Sequence, residues 1–355
     1  MSHSNAQIST GALWGWGRNL YGHLGDQTTT DRSSPVAVAG GHLFLQSSLG
    51  TYHSLGLKSD GTVWAWGFNT SGQLGDQTIT NRSSPVSVVG GHSFGAVDGG
   101  AFYSLGLKSS NLSAWAWGSN AWGQLGDQTI TDRSSPVAVA GGHSFIAIRG
   151  GLYHSLGLKS DGTAWGWGRN DSGELGDQTI TNRSSPVSVV GGHSFIAIAG
   201  AQFHSLGLKS DGTVWAWGLN TSGQLGDQTI TDRSSPVAVA GGHSFIAIRG
   251  GLYYSLGLKA AGKVWGWGRN GNGQLGDNST TNRSSPVVMA SDESFVAIAC
   301  GMPADVADDR GSSYGRKTNG EIWAWGSNGW GQLGDGTITD RSAPVAVIGT
   351  VGFTT

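Results

Sequence analysis

Short segments with alternating residue types recur along the chain and predict β-strands. In residues 63–67, which read Val-Trp-Ala-Trp-Gly, the two Trp occupy alternate positions, so a strand would place both on one face. Residues 84–88, 145–148 and 155–159 also have strand character, and the Pro in the first of these is tolerated near a strand start. We find no segment of ten or more residues with helical periodicity. The pattern predicts an all-β fold built from units of four short strands.

Three motifs repeat in a fixed order about every 50 residues. Trp-x-Trp-Gly occurs seven times, and each copy is followed by Leu-Gly-Asp and then by Arg-Ser-Ser-Pro, or Arg-Ser-Ala-Pro in the last unit. Four strands per unit, repeated seven times, predict a seven-bladed β-propeller of four-stranded antiparallel blades. We interpret the repeated Trp as blade packing and the repeated Asp and Arg as a clamp that holds a loop. These residues are Trp14, Trp16, Trp64, Trp66, Trp115, Trp117, Trp165, Trp167, Trp215, Trp217, Trp265, Trp267, Trp323 and Trp325; Asp26, Asp76, Asp127, Asp177, Asp227, Asp277 and Asp335; and Arg32, Arg82, Arg133, Arg183, Arg233, Arg283 and Arg341.

The two ends of the chain match different parts of the same unit. Residues 352–355 match 244–247, and residues 3–7 match 53–57. The sequence therefore predicts that the terminal segments pair within one blade and close the ring. Such a closure would leave no free sheet edge at either end of the chain.

Composition narrows the range of functions. Only 12% of the residues are charged, against about 25% in typical domains, and the net charge is -2, which argues against nucleic-acid binding. No run approaches about 18 consecutive apolar residues, so no membrane-spanning helix is predicted. The first residues lack the features of a secretory signal, so we expect a cytoplasmic location by default, or a domain of a larger surface protein. We expect one propeller domain over residues 1–355, with a short insertion at about 302–311 in the last full repeat.

The residues that could carry chemistry follow the repeat, and none stands apart as a catalytic group. Cys300, the single cysteine, replaces a Gly of the other units, and we interpret it as a small packed residue. A calcium loop at residues 26–31 is an alternative to the clamp, because its side chains offer oxygen ligands. We otherwise predict a protein without enzymatic activity, cofactor or metal. Most of the histidines form two periodic sets, which we interpret as structural, bonding loop carbonyls between blades: His42, His92, His143, His193 and His243, and then His53, His154 and His204.

Variation between the units is concentrated at the loop tip between Trp-x-Trp-Gly and Leu-Gly-Asp. Arg and large aromatic residues at such tips are typical of binding hot spots. Aromatic residues at the turns form either a second set of binding residues around the propeller or packing between blades. They are Tyr52, Phe102, Tyr153 and Tyr253. The candidate partner-binding residues at the tips are Arg18, Tyr21, Phe68, Trp122, Arg169, Leu219, Arg269 and Trp330.

The motif series resembles a known repeat family. Trp-Gly-Trp-Gly-Arg-Asn-x-x-Gly-Gln-Leu-Gly-Asp, Arg-Ser-Ser-Pro-Val and Gly-Gly-x-x-His-Ser-Leu-Gly-Leu-Lys-x-Asp-Gly look like the regulator of chromosome condensation repeat, over essentially the whole chain. The resemblance implies a seven-bladed propeller. Members act as exchange factors for a Ran-type GTPase, as a plant UV-B photoreceptor, and as inhibitory proteins of β-lactamases. The units are nearly identical to one another, and in this respect the chain resembles the bacterial members of the family.

The residues distinguish among these roles. The photoreceptor carries Gly-Trp-Arg-His-Thr where this chain has Gly-Leu-Tyr-His-Ser at 151–155 and Gly-Leu-Tyr-Tyr-Ser at 251–255, so the light-sensing cluster is missing. The exchange factor carries a protruding hairpin and a basic tail, whereas the insertion at 302–311 is short and acidic.

We therefore predict a non-enzymatic scaffold that binds a protein partner on one propeller face, and neither nucleic acid nor membrane. The first alternative is a guanine nucleotide exchange factor for a small GTPase. The second is a structural or self-assembling repeat protein, or a binder similar to the β-lactamase inhibitors. Binding of a glycan or another small ligand in the central channel is a third class.

Overall fold

The computed structural model describes residues 3–7, 12–301 and 311–349, and for residues 3–7 it describes the backbone alone. Within these ranges the strands form antiparallel sheets that follow one another along the chain, which confirms the all-β prediction. Over the same residues, no helix is long and apolar enough to cross a membrane.

Seven sheets are described, and we number them in chain order. Sheet 1 has three described strands, and sheets 2 to 7 have four each. The strands of sheets 1 to 3 are β1 (His3–Gln7), β2 (Leu13–Gly17) and β3 (Arg32–Ala37); β4 (Gln46–Leu49), β5 (His53–Leu57), β6 (Val63–Gly67) and β7 (Arg82–Ser87); and β8 (Phe94–Gly99), β9 (Tyr103–Lys108), β10 (Ala114–Gly118) and β11 (Arg133–Ala138). The strands of sheets 4 to 7 are β12 (Ala147–Gly150), β13 (His154–Leu158), β14 (Ala164–Gly168) and β15 (Arg183–Ser188); β16 (Ala197–Gly200), β17 (His204–Leu208), β18 (Val214–Gly218) and β19 (Arg233–Ala238); β20 (Ala247–Gly250), β21 (Tyr254–Leu258), β22 (Val264–Gly268) and β23 (Arg283–Val288); and β24 (Ala297–Gly301), β25 (Ser312–Arg316), β26 (Ile322–Gly326) and β27 (Arg341–Ala346).

Each four-stranded sheet is a meander in which consecutive strands pair. In sheet 2, the register between β6 and β7 shifts after Ala65, so that Gly67 faces Arg82. The first strands of sheets 2 to 7 line a common central cavity, whereas the last strand of each sheet lies at its outer edge. This arrangement is a β-propeller with four-stranded antiparallel blades.

One predicted strand starts two residues too early. The sequence predicts a strand at 145–148, whereas β12 spans Ala147–Gly150. Phe145 lies before the strand, and its ring lies against Gly157 of β13, where a Cβ atom would stand 2.5 Å from the ring. The apolar pattern marks Phe145 as buried, but it does not reveal that pairing with β13 begins only at Ala147.

The hydrophobic core lies between neighbouring sheets. Leu55, Leu57 and Ala65 of sheet 2 pack against Trp117 of sheet 3, together with Phe94. The second Trp of every Trp-x-Trp-Gly motif is at most 1% exposed, and the first Trp is partly buried beside it. Each blade therefore presents its Trp to the preceding blade. Burial of one such ring contributes about 4–6 kcal/mol by area.

Backbone contacts also join each outer loop to the next sheet. The N–H of Gln77 donates to the carbonyl oxygen of Ser134 at 2.9 Å. Gly72 comes so close to the same strand that a Cβ atom would lie 2.5 Å from Ser134 Cα. The corresponding donor and acceptor pairs are Gln27 and Ser83, Gln128 and Ser184, Gln178 and Ser234, Gln228 and Ser284, and Asn278 and Ser342.

Sheets 1 and 7 are in direct contact. Trp16 of sheet 1 is buried against Tyr314, Leu333 and Val347 of the sheet 7 region. Its Nε1–H donates to the carbonyl oxygen of Gln332 at 3.2 Å. The backbone of residues 3–7 pairs with β2, as the match to 53–57 predicts. The predicted closing segment, 352–355, and the insertion at 302–310 lie outside the described residues.

Candidate functional site

A buried network holds each loop tip, and the connection between β10 and β11 shows its parts. The Asn120 side chain accepts a hydrogen bond from Leu125 N at 2.9 Å and donates one to Asp127 Oδ1 at 3.0 Å. Asp127 Oδ2 accepts from Arg133 Nε at 2.9 Å and forms a salt bridge with Nη2 at 2.8 Å. Burial alone would raise the pKa of Asp127, but the bonds from Thr129 and Arg133 outweigh it and lower the pKa.

The same network occurs in all seven described connections. We call it the Asn-Asp-Arg clamp. It joins each Asp and Arg of the repeat to a fully buried Asn: Asn19, Asn69, Asn120, Asn170, Asn220, Asn270 and Asn328. The ion pairs within it are those of Asp26, Asp76, Asp127, Asp177, Asp227, Asp277 and Asp335 with Arg32, Arg82, Arg133, Arg183, Arg233, Arg283 and Arg341.

The clamp occupies the oxygen atoms that a calcium loop at 26–31 would need. Asp26 Oδ1 accepts from Asn19 and from Thr28, and Asp26 Oδ2 accepts both Arg32 Nε and Nη2. A cation would have to displace the Arg32 guanidinium. Over the described parts of the chain, no group of three or more His, Cys, Asp or Glu is placed to hold a metal ion.

The loop tips lie beside the turns that carry the aromatic residues. Phe68 N donates to the carbonyl oxygen of Tyr52 at 2.9 Å, and Arg169 N donates to that of Tyr153 at 2.9 Å. The same bond joins Ser119 to Phe102, Leu219 to Phe203, and Arg269 to Tyr253. The loop-tip residues and the turn aromatics therefore belong to one surface.

Ring contacts run from blade to blade across this surface. The Tyr21 ring centroid lies 4.6 Å from that of Phe68 and 5.0 Å from that of Tyr52. Tyr52 lies 5.9 Å from Phe102, and Phe102 lies 6.2 Å from Tyr153. All five side chains are half-buried, so one side of each ring stays accessible.

Arginine side chains continue the surface through the next two blades. The Arg169 guanidinium carbon lies 5.3 Å from the Trp122 ring and 5.6 Å from the Phe203 ring. Phe203 stacks on Tyr253 at 5.3 Å with an angle of 12° between the planes, and Arg269 lies 5.8 Å from the Tyr253 ring. Cation–π contacts of this kind fix the guanidinium groups over the rings.

We call this surface the aromatic face. It comprises Tyr21, Tyr52, Phe68, Phe102, Trp122, Tyr153, Arg169, Phe203, Tyr253 and Arg269. Burial raises the pKa of Tyr153 and Tyr253, although Arg169 and Arg269 oppose the shift, so both hydroxyls remain protonated at neutral pH.

The other candidate partner-binding residues are placed differently. Arg18 and Trp330 contact each other across sheets 1 and 7, with 5.0 Å from the guanidinium carbon to the ring, and Trp330 is 37% exposed. Leu219 is half-buried, and its backbone N–H donates to the carbonyl oxygen of Phe203, which belongs to the aromatic face. Phe203 is a residue that sequence reasoning missed, although it occupies the same repeat position as Tyr153.

Exposed isoleucines on the clamp loops were also missed. The loop after β6 carries Ile79, which is 66% exposed, and the residue follows Asp76 at a spacing that is nearly constant in the repeat. The equivalent residues are Ile130, Ile180, Ile230 and Ile338.

The buried histidines bridge neighbouring blades through serine hydroxyls. His53 Nε2 lies 2.9 Å from Ser104 Oγ, and that hydroxyl donates to the carbonyl oxygen of Gln73 at 2.8 Å. The expected direct bond to a loop carbonyl is thus wrong, because the hydroxyl stands between the two groups. His154 and His204 make the same bond to Ser205 and Ser255 at 3.0 and 2.7 Å.

Tyrosine replaces histidine at two of these positions and keeps the bridge. Tyr103 donates its hydroxyl to the carbonyl oxygen of His154, and Tyr254 donates to that of Ser312. The other set of histidines lies at the opposite end of the strands. The His42 ring packs on Trp64 at a tilt of 38°, with 4.2 Å between centroids, and the ammonium of Lys58 lies 4.2 Å from the same ring.

Comparison with solved structures finds propellers of similar shape. Human WBSCR16 superposes with a TM-score of 0.83 and 21% identity, over 95% of this chain and 94% of that one. Prp20p from Saccharomyces cerevisiae, studied for its binding to Gsp1p and histones, gives 0.83 and 21%, over 98% and 88%. Yeast RCC1 (Prp20) bound to Kap60 gives 0.83 and 20%, over 97% and 85%. At these identities the likeness shows a common fold.

A comparison with curated proteins found no match. The sequence model described as "Regulator of chromosome condensation (RCC1) repeat" matches residues 10–57, 113–158, 161–208, 211–258, 261–302 and 319–354. A second model with the same description matches residues 47–73, 145–174, 195–224 and 245–274. Together these matches cover most of the chain, and the chain belongs to the regulator of chromosome condensation (RCC1) repeat family.

Proposed function

We propose that this protein is a non-enzymatic scaffold that binds a protein partner through the aromatic face. The observation that carries the proposal is the continuous series of half-buried rings and guanidinium groups from Tyr21 to Arg269. Trp, Tyr and Arg dominate the binding energy of protein interfaces, because they combine large apolar area with directional polar groups.

The Asn-Asp-Arg clamps support this function by holding the tips in place before a partner arrives. The Trp122 backbone N–H bonds to Gln124 Oε1 at 2.9 Å, within a tip whose Asn120 is fully buried. A surface that is already ordered loses little conformational entropy on binding.

We further propose that the ring has seven four-stranded blades. Residues 352–355 would lie next to β1 in sheet 1, because they match residues 244–247, which lead into the first strand of sheet 6. The burial of Trp16 against Leu333 and Val347 supports a ring in which sheets 1 and 7 are neighbours. A closed ring would hold the aromatic face rigid from the first blade to the last.

The chemistry of the face favours a partner with apolar groups. The half-buried rings offer apolar contact, whereas the Arg169 guanidinium already pairs with Asp171 at 2.8 Å. The solved relatives bind proteins: one is bound to Kap60, and Prp20p was studied with Gsp1p and histones.

Nucleotide exchange on a small GTPase is the second candidate function. The fold match to yeast RCC1 (Prp20), together with the exchange activity known in the family, favours it. Release of labelled nucleotide from small GTPases would accelerate in the presence of the protein if this function holds. If the protein does not accelerate nucleotide release, this candidate function is wrong for the GTPases tested.

Affinity capture with matched variants tests the scaffold proposal. Phe68→Ser, Trp122→Ser and Arg169→Leu, combined in one chain, install residues that other units carry at the same positions, namely Ser119, Ser172 and Leu219. The combined variant should therefore fold. We expect it to lose a protein that the parent chain captures, by about tenfold or more in yield.

Leu43→Ser is the matched control. Leu43 is 62% exposed at the opposite end of the strands, and Ser93 occupies its position in the next unit. A partner recovered with the parent chain and the control, but not with the triple variant, supports binding at the aromatic face. Equal recovery with all three chains would overturn it. Light scattering of the parent chain at high concentration identifies self-association, which would assign the face to a second copy instead.

A further inference from the structure

The first strands of sheets 2 to 7 surround a central cavity of about 340 Å³. Its wall is built from one register position that repeats in every sheet. The residue at this position pairs with a core residue of the following strand. For example, Arg149 pairs with Leu156, and Arg249 pairs with Leu256. The residue at this position lines the cavity in each of these six sheets, whereas Ile148 and Ile248, which precede the two arginines, are buried in the core.

The residues at this position give the cavity an unequal charge. In chain order they are Ser48, Asp98, Arg149, Ala199, Arg249 and Ala299. Two guanidinium groups therefore share the cavity with one carboxylate.

The carboxylate is already bonded to other groups. Asp98 Oδ1 accepts a hydrogen bond from Ser48 Oγ at 2.9 Å, and Oδ2 accepts one from Gly150 N at 2.8 Å. Burial raises the pKa of Asp98, although the nearby Arg149 and Arg249 oppose the shift.

The two guanidinium groups outnumber the carboxylate that lies near them, Asp98. Arg149 Nη1 donates to the carbonyl oxygen of Ile148 at 2.7 Å, and Arg249 Nη1 donates to that of Ile248 at 2.8 Å. Within residues 12–301 and 311–349, neither forms a salt bridge to a carboxylate. Each guanidinium has five N–H donors, so donors remain on both.

Alanines leave room between and beside the two arginines. Ala199 lies between Arg149 and Arg249 in the ring, and Ala299 follows Arg249. Burial lowers the pKa of Arg249, and the like charge of Arg149 adds to the shift. The site is open to solvent, since Arg249 is exposed and Arg149 half-buried, and two like charges beside one cavity repel each other unless an anion accompanies them.

We propose that the central cavity binds a small doubly charged oxyanion between Arg149 and Arg249. The guanidinium fork matches the geometry of phosphate and carboxylate oxygens, and the cavity has room for such a group together with hydrating water. The ligand is either a phosphate-type group or a small dicarboxylate, which share this chemistry. The site is separate from the aromatic face, and it does not depend on the function proposed there.

Calorimetric titration of the full chain tests the site. The probes are inorganic phosphate, sulfate and succinate, each at constant ionic strength set with sodium chloride. We expect saturable binding of at least one probe. Tighter binding of phosphate and sulfate identifies a phosphate-type ligand, and tighter binding of succinate identifies a dicarboxylate.

Two variants remove the arginines without foreign residues. Arg149→Ala and Arg249→Ala install the residue that Ala199 and Ala299 already place at the same position. We expect each to weaken binding by about tenfold or more, because one charge-assisted bidentate contact is lost. Thermal melting checks that both variants fold.

Lys263→Thr is the control for the change in net charge. Lys263 bonds the carbonyl oxygen of Asp292 at 2.8 Å, outside the cavity, and Thr213 holds its position in the preceding unit. The control should bind the probe as tightly as the parent chain. The proposal is overturned if no probe saturates, if the arginine variants bind like the parent, or if Lys263→Thr weakens binding as much as they do.

Discussion

The backbone N–H of Phe68 donates a hydrogen bond to the carbonyl oxygen of Tyr52, with 2.9 Å between the two atoms. The residues lie on different connections of sheet 2, since Phe68 follows β6 and Tyr52 precedes β5. The bond holds the loop tip that carries Phe68 beside the turn that carries Tyr52, and the two ring centroids are 5.8 Å apart. The aromatic face therefore follows from strand connectivity, together with the residues at two positions in each unit.

Asp127→Asn tests whether the clamp stabilises the fold. Asp127 accepts a hydrogen bond from Arg133 Nε, forms a salt bridge with Arg133 Nη2, and accepts a bond from the buried Asn120. An amide in its place keeps the shape but loses the charge-assisted pair. We expect the free energy of unfolding to fall by about 1–3 kcal/mol, measured by urea denaturation with Trp fluorescence.

Asp132→Asn is the matched control, because it removes one negative charge from the same loop. Asp132 Oδ1 accepts from Asn120 N at 2.7 Å, and in sheet 2 Asn81 makes the same bond to Asn69 N. We expect a change within about 0.5 kcal/mol. Equal losses in the two variants would mean that the loop responds to charge alone, which contradicts the clamp.

The sequence predicts the clamp better than it predicts the aromatic face. Asp127 and Arg133 are six residues apart in one connection, so a pattern within a single unit reveals their pairing. The contact of Arg169 with Phe203 joins different blades, and it depends on strand register and turn geometry that no spacing records. For the same reason, the sequence does not distinguish Leu219 from Arg169 as a candidate partner-binding residue.

The central cavity illustrates the same limit. Arg149 and Arg249 lie 100 residues apart, in strands that read as two ordinary copies of one motif. Both reach the same cavity because their strands lie in sheets that line it. Cys300 lies in the same wall as a small residue, and burial raises the pKa of its thiol to about 12.

Buried histidines make the fold sensitive to mild acid. Burial lowers the pKa of His53, His154 and His204 from 6.5 to about 3. Between these values the unfolded chain binds more protons than the folded one. Their contribution to stability is therefore fully present above about pH 6.5 and is lost as the pH falls toward 3, at up to about 1.4 kcal/mol per pH unit for each His. Urea denaturation at a series of pH values measures the loss.

His154→Tyr is expected to reduce this sensitivity by about one proton. Tyr103 occupies the same position in the preceding unit, and Gly151 leaves the space that a larger ring needs. His204→Tyr is the contrasting variant, because Ala201 stands where His154 has Gly151, and we expect it to destabilise the fold. An unchanged pH slope in His154→Tyr would contradict the assignment of the buried histidines as the acid-sensitive groups.

The two Trp of one motif should differ in their effect on stability. Trp117 is fully buried between sheets 2 and 3, whereas Trp115 is half-buried at the edge, between His92 and Lys108. We expect Trp117→Ala to cost about 3–5 kcal/mol and Trp115→Ala about 1–2 kcal/mol. Urea denaturation followed by circular dichroism gives both values. Equal costs would contradict the view that the second Trp forms the core between blades.

Two glycines separate the effect of backbone conformation from that of close packing. Gly72 and Gly91 both have positive φ, at 82° and 60°. An added Cβ would lie 2.5 Å from Ser134 Cα at Gly72, whereas it would meet nothing within 4 Å at Gly91. Gly91→Ala should therefore cost about 1–2 kcal/mol from the left-handed conformation alone. Gly72→Ala should cost a further 1–3 kcal/mol or so, because the next blade must move away. Thermal and urea denaturation of the pair measure the difference, and similar costs would show that the blades are not in the close contact described between sheets 2 and 3.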